Sequence, residues 1–99
     1  MIEKSISFEQ DQFIYLESLM YEVLARKDLL NFVLSKNLDI STELFDKYNT
    51  EYIEYYTEYD LAKKEFYKEY IEPILPKKFK RVEWEILFYK NEVKIKIYD

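Results

Sequence analysis

Residues 45–70 read FDKYNTEYIEYYTEYDLAKKEFYKEY, and the rest of the chain is organised around them. Apolar and aromatic side chains fall at Phe45, Tyr48, Tyr52, Tyr55, Tyr59, Ala62 and Phe66, in alternating steps of three and four. That spacing is a heptad seam along one face of a helix, the pattern by which one helix lies against another. Four consecutive seam positions are tyrosine. Each brings a large apolar ring and a hydroxyl that needs a partner when buried, so the seam suits a half-wet contact. A thin helical core and a recognition surface both meet that description. Tyr48, Tyr52, Tyr55 and Tyr59, with Tyr56 beside them, are therefore candidate partner-binding residues.

On the N-terminal side, residues 1–6 read as a short lead-in. Ser7 with Gln10 has the spacing of a capping box, and a helix is expected over 8–36. Its stripe is Phe13, Leu16, Met20, Val23, Lys27, Leu30 and Leu34, with a second row at Tyr15, Leu19, Leu29 and Val33. An apolar arc this wide predicts contact with more than one element. Residues 37–40 are the break. Ser41 is a good N-cap for the next helix, and Ile40 with Phe45 has the spacing of a hydrophobic staple. The second helix is expected over 42–71, stopped by Pro73. A short loop between long helices predicts an antiparallel hairpin. Phe13 then meets Phe66, and the stem of Lys27 lies over the ring of Tyr52.

Beyond Pro76 the period changes from about 3.6 to 2. Val82, Trp84, Ile86 and Phe88 alternate with Glu83, Glu85, Leu87 and Tyr89; Val93, Ile95 and Ile97 alternate with Lys94, Lys96 and Tyr98. This is a β-hairpin over 80–98. A two-residue turn at Lys90-Asn91 sets Phe88 opposite Val93, Ile86 opposite Ile95 and Trp84 opposite Ile97. The chain has no glycine, so this turn lacks the residue that primed turns favour. The second strand pairs by sequence with only one neighbour and is expected to be an open edge. Trp84, Lys94 and Lys96 join the candidate partner-binding residues for that reason, the two lysines both as guards against wrong pairing and as attraction for an acidic partner. The fold expected is α+β: a long antiparallel two-helix hairpin followed by a C-terminal β-hairpin, with 1–99 as a single domain.

Composition narrows the chemistry. The absence of glycine removes phosphate-cradling loops. With neither His nor Cys there are no Ser-His-Asp or Cys-His centres, no usual zinc site, no Glu-x-x-His di-iron motif and no disulfide framework. Carboxylates remain: Glu51, Glu54, Glu58 and Asp60 on the second helix, balanced by Lys47, Lys63 and Lys64, which reads as a solvated face. No cofactor or metal is expected. The net charge is −5, divided as −8 over residues 1–76 and +3 over residues 77–99. The acidic part repels nucleic acid, and the basic part is too small and mixed to bind it. No apolar run reaches the length of a membrane span and no signal peptide is visible, so a cytoplasmic location is expected. Heavy use of Lys, Ile, Tyr, Asn and Glu fits the AT-rich coding of a low-GC bacterium or its phage.

The function expected is that of a small non-enzymatic accessory or adaptor protein, acting through contact with a protein partner or with a second copy of itself. A second reading is a phage-type inhibitor or virion accessory protein that covers a basic surface with acidic helices. A third, carried only by the glutamate row, is a carboxylate–metal enzyme.

Overall fold

A computed structural model describes residues 1–35 and 42–99. The order is β1 (Ile2–Ser7), α1 (Gln10–Ser35), α2 (Thr42–Phe66), a π-helical turn (Tyr67–Ile71), a 3-10 turn (Glu72–Ile74), β2 (Arg81–Leu87), a second 3-10 turn (Phe88–Lys90) and β3 (Glu92–Tyr98). Two long helices and an antiparallel sheet make the α+β fold that the periodicities predict. The break at 37–40, the Ser41 cap and the Ile40–Phe45 staple lie outside the described residues. The chain divides into two compact units, one of residues Met1–Tyr15 and Glu65–Asp99, the other of Leu16–Lys64.

In the first unit the sheet has three strands, in the order β1-β3-β2. Residues 2–7 are thus a strand rather than a lead-in. They occupy the flank of β3 that the sequence left open, and β3 is the central strand. The reason is visible in β1: Ile2, Lys4 and Ile6 lie opposite Ile97, Ile95 and Val93, while Glu3 lies opposite Lys96. Ile2 and Ile6, at the two ends of the inward row, add to the apolar face, and Glu3 answers Lys96 on the outer one. Six residues with a lysine among the inward positions carry too weak an alternation to be read as a strand alone.

The β2–β3 register is also shifted. Ile86 faces Val93, Trp84 faces Ile95 and Val82 faces Ile97. This is two residues away from the register of a two-residue turn, so Val82, Trp84 and Ile86 keep their face; Leu87, expected on the outer face, is instead buried where β2 ends and the backbone leaves the strand. Lacking glycine, the chain turns through Phe88–Lys90 and then Asn91, which takes the left-handed conformation at φ 53°. Asn tolerates that region better than other residues with a Cβ, and a longer loop does not need two such positions in a row.

Val93, Ile95 and Ile97 are fully buried, as are Phe13 and Ile71. Above them the aromatic rings form one cluster. Phe8 lies 5.3 Å from both Phe13 and Phe66 and 5.2 Å from Tyr70. Phe66 lies 5.6 Å from Phe13, the pairing that the helical seam predicts, and 4.8 Å from Tyr70. Phe88 closes on Phe13 edge-on at 5.8 Å. Continued at three and four, the seam of α2 would bring Glu69 and Pro73 inward. The π-helical turn, with the Glu72 N–H donating to the Tyr67 carbonyl, makes a five-residue step from Phe66 instead and buries Ile71. Pro73 does not stop the helical backbone, because it sits in the first turn of the 3-10 segment, where its missing N–H costs nothing. The chain becomes extended at Leu75, the residue before Pro76.

The start of α1 is capped two residues later than the Ser7–Gln10 spacing implies. Ser7 ends β1, and the Glu9 N–H donates to Gln12 Oε1 at 2.8 Å, the reciprocal half of a capping box.

The second unit is the helical hairpin. Along α1 it buries Leu16, Leu19, Val23 and Val33, with Met20, Arg26 and Leu30 half-buried. Lys27 and Leu34, both on the expected stripe, are exposed. A cation does lie over a seam ring, but it is Arg26 and not Lys27, and the ring is Tyr55 and not Tyr52: the guanidinium sits 4.3 Å over Tyr55 and pairs with Glu22 one turn back. A planar guanidinium can stack on a ring and hold a carboxylate at once, which an ammonium does less well.

Candidate functional site

The tyrosine seam faces inward in the second unit. Tyr48, Tyr52, Tyr55 and Tyr59 are all half-buried, whereas Tyr56 is 52% exposed. The rings do not stack into a continuous row. Tyr52 and Tyr56 approach at 6.1 Å, Tyr55 lies under Arg26, and Lys63 Nζ lies 4.5 Å over Tyr59. Two of the four seam rings, Tyr55 and Tyr59, thus carry a cation over the ring face.

Burial raises the pKa of the Tyr59 hydroxyl. The folded state therefore holds this proton more tightly than the unfolded chain does, and the contribution to stability is complete below the unfolded value. It is lost as pH rises above about 10, where the unfolded chain ionises first. Stability measured against pH should fall above pH 10 less steeply in Tyr59→Phe than in the native chain. Identical alkaline slopes in denaturant titrations would refute the assignment to Tyr59.

The side of α1 away from its buried stripe is also apolar. In the second unit it carries Tyr21 at 59% exposure, Leu24 at 46%, Leu29 at 38% and Phe32 at 53%. Leu29 lies on the second row read from the sequence. Tyr21, Leu24 and Phe32 lie on neither row, although the i, i+3 and i+11 spacing of the three was a usable signal.

In the sheet, Lys94 and Lys96 are exposed, but on the outer face of the central strand and not at an edge. Each lies between side chains of the two flanking strands: Lys96 between Glu3 and Glu83, Lys94 between Ser5 and Glu85. Glu83, Glu85, Lys94 and Lys96, with Trp84, line a shallow recess of about 330 Å³. Arg81 reaches Glu83 at 3.5 Å and lies 4.2 Å over the ring of Tyr98, whose hydroxyl donates to Glu83 at 3.3 Å. Trp84 is half-buried on the inner face, stacked on Phe66 at 6.0 Å and 14° with Tyr67 at 5.9 Å.

One main-chain bond fixes which peptide groups face outward. Phe8 N–H donates to the Asn91 carbonyl at 2.8 Å, continuing the β1–β3 register. Hydrogen bonding alternates along an antiparallel strand. Residues 93, 95 and 97 of β3 therefore turn their peptide groups to β1, and residues 92, 94, 96 and 98 turn theirs to β2. By the same alternation Val82, Trp84 and Ile86 present N–H and C=O at the free edge of β2, and Glu3, Ser5 and Ser7 do so at the free edge of β1.

Among the described residues no three carboxylates converge on a point where a metal ion could sit, and no helix is long and apolar enough to cross a membrane. No family model, curated protein or solved structure matches the chain.

Proposed function

We propose that this chain is a non-enzymatic protein-interaction module that associates with a second copy of itself through α1. The observation that carries this reading is the second apolar face of that helix, at Tyr21, Leu24 and Leu29. Hydrophobic area on the side opposite a buried stripe has no use in packing that stripe, and exposed apolar patches on small proteins mark contact sites. A two-fold pairing of α1 with α1 buries the same face on both copies, so one patch serves twice. Aromatic and leucine side chains supply the anchors of such interfaces.

Light scattering at tens to hundreds of micromolar is expected to give the mass of a dimer. Replacing Leu24 and Leu29 together by Glu should shift the protein to monomer while the fluorescence of Trp84 stays native. A monomer mass for the unmodified chain at those concentrations, or a dimer untouched by the double substitution, would overturn the reading.

A further inference from the structure

The two free edges of the sheet are not alike. β1 places Lys4 among its inward positions, opposite Ile95. An inward charge on an edge strand is a guard, because an added strand would have to bury it. β2 has no such guard. Its inward residues are Val82, Trp84 and Ile86, which are half-buried while their partners Ile97, Ile95 and Val93 are fully buried. The peptide groups of those same three residues point out of the sheet. The apolar face thus stops at a strand that offers both unpaired backbone and uncovered side chain.

The outer side chains of β2 say what would fit. Glu83 and Glu85 are exposed at the edge. On their sheet side they meet Lys96 and Lys94 of β3, which alternates lysine with Val93, Ile95 and Ile97; Glu83 is also held by Arg81 and Tyr98, so Glu85 is the less engaged of the two carboxylates. A second copy of β2 is a poor occupant: antiparallel pairing about Trp84 would set Glu83 against Glu85 twice, and like charges directly opposite are destabilising. We propose that the free edge of β2 takes up an extended segment of another protein in which basic and apolar residues alternate, its main chain pairing with Val82, Trp84 and Ile86 and its basic side chains lying beside Glu83 and Glu85. This is strand addition, with backbone bonds supplying affinity and alternate side chains supplying choice. It stands apart from self-association through α1.

The probe is a synthetic peptide with the sequence of residues 92–98, EVKIKIY, since β2 already accepts that strand on its other side. Trp84 is the only tryptophan in the chain and reports from the middle of the edge. Titration should give a saturable change in its fluorescence. A peptide with glutamate at both lysine positions should bind about tenfold more weakly or worse, as expected for two like-charge pairs. Glu85→Lys in the protein should weaken the native peptide and strengthen the glutamate one. Val82→Pro removes an outward N–H and should cost about tenfold. If that variant does not fold, the peptide N-methylated on alternate residues tests the same bonds from the ligand side and should lose binding. Protection of the Val93–Ile97 amides from exchange should persist in the complex. The proposal is overturned by no saturable change at millimolar peptide, by equal affinity of the lysine and glutamate peptides, by undiminished binding of both N-methylated registers, or by loss of protection in β3, which would mean displacement.

Discussion

Phe66→Ala is expected to lower the free energy of unfolding by about 3–5 kcal/mol, the upper range for truncation of a buried aromatic ring. Phe66 is buried and its ring touches those of Phe8, Phe13, Tyr70 and Trp84. Four rings thereby lose a common neighbour, and the backbone holding them comes from β1's end, α1, the π-helical turn and β2, which cannot all collapse into one gap. A protein of this size has about 5–15 kcal/mol in total, so the change removes a large share of it. Phe66→Leu, which keeps most of the volume, should cost less than half as much. Urea titration gives both numbers. The near-UV signal of Trp84, stacked on Phe66, should change in the same variants. A cost below about 1 kcal/mol for Phe66→Ala, typical of a site outside the core, would mean that the ring cluster is not packed as described.

The next largest effect is expected at β1, and it depends on a single-residue register. Lys4 and Ser5 are both exposed and neighbouring, yet the Lys4 N–H points at β3 and the Ser5 N–H points away from it. Lys4→Pro should cost about 2–3 kcal/mol, because it deletes a ladder donor and leaves an acceptor on the buried strand β3 unpaired. Ser5→Pro should cost well under about 1 kcal/mol, since proline is accepted on an edge strand where its nitrogen faces solvent. Parallel urea titrations of the two variants decide the point. Equal costs, or the reverse order, would place β1 one residue out of register. That result would also remove the ground for assigning outward peptide groups to Val82, Trp84 and Ile86.

The helices and the strand pair were legible because each shows its own period. Steps of three and four from Phe45 to Phe66, and of two from Val82 to Ile97, are long enough to exclude each other. They specify which side chains share a face, and this survives in the structure: Tyr48, Tyr52, Tyr55 and Tyr59 turn inward together, and Phe13 meets Phe66. Even the two-residue slip of the hairpin kept Val82, Trp84 and Ile86 on the side of Val93, Ile95 and Ile97, because a shift by two leaves the face unchanged.

What the sequence by itself determined, then, is local: the element type of the long segments, and the faces of α2 and of the paired strands β2 and β3. Tertiary structure decided everything that depends on a neighbour far along the chain. β1 is too short and too mixed to announce itself, and it is a strand because β3 offers a row of open peptide groups and three buried side chains to lie beside. Its arrival makes β3 central, takes Lys94 and Lys96 away from the edge, and leaves β2 as the strand without a guard. The choice of Arg26 over Lys27 beside Tyr55 is of the same kind: the two point about 100° apart on the helix, and packing decides which direction meets the ring. Period reports how a segment presents its side chains; which segment receives them is fixed by long-range pairing, which no local window contains.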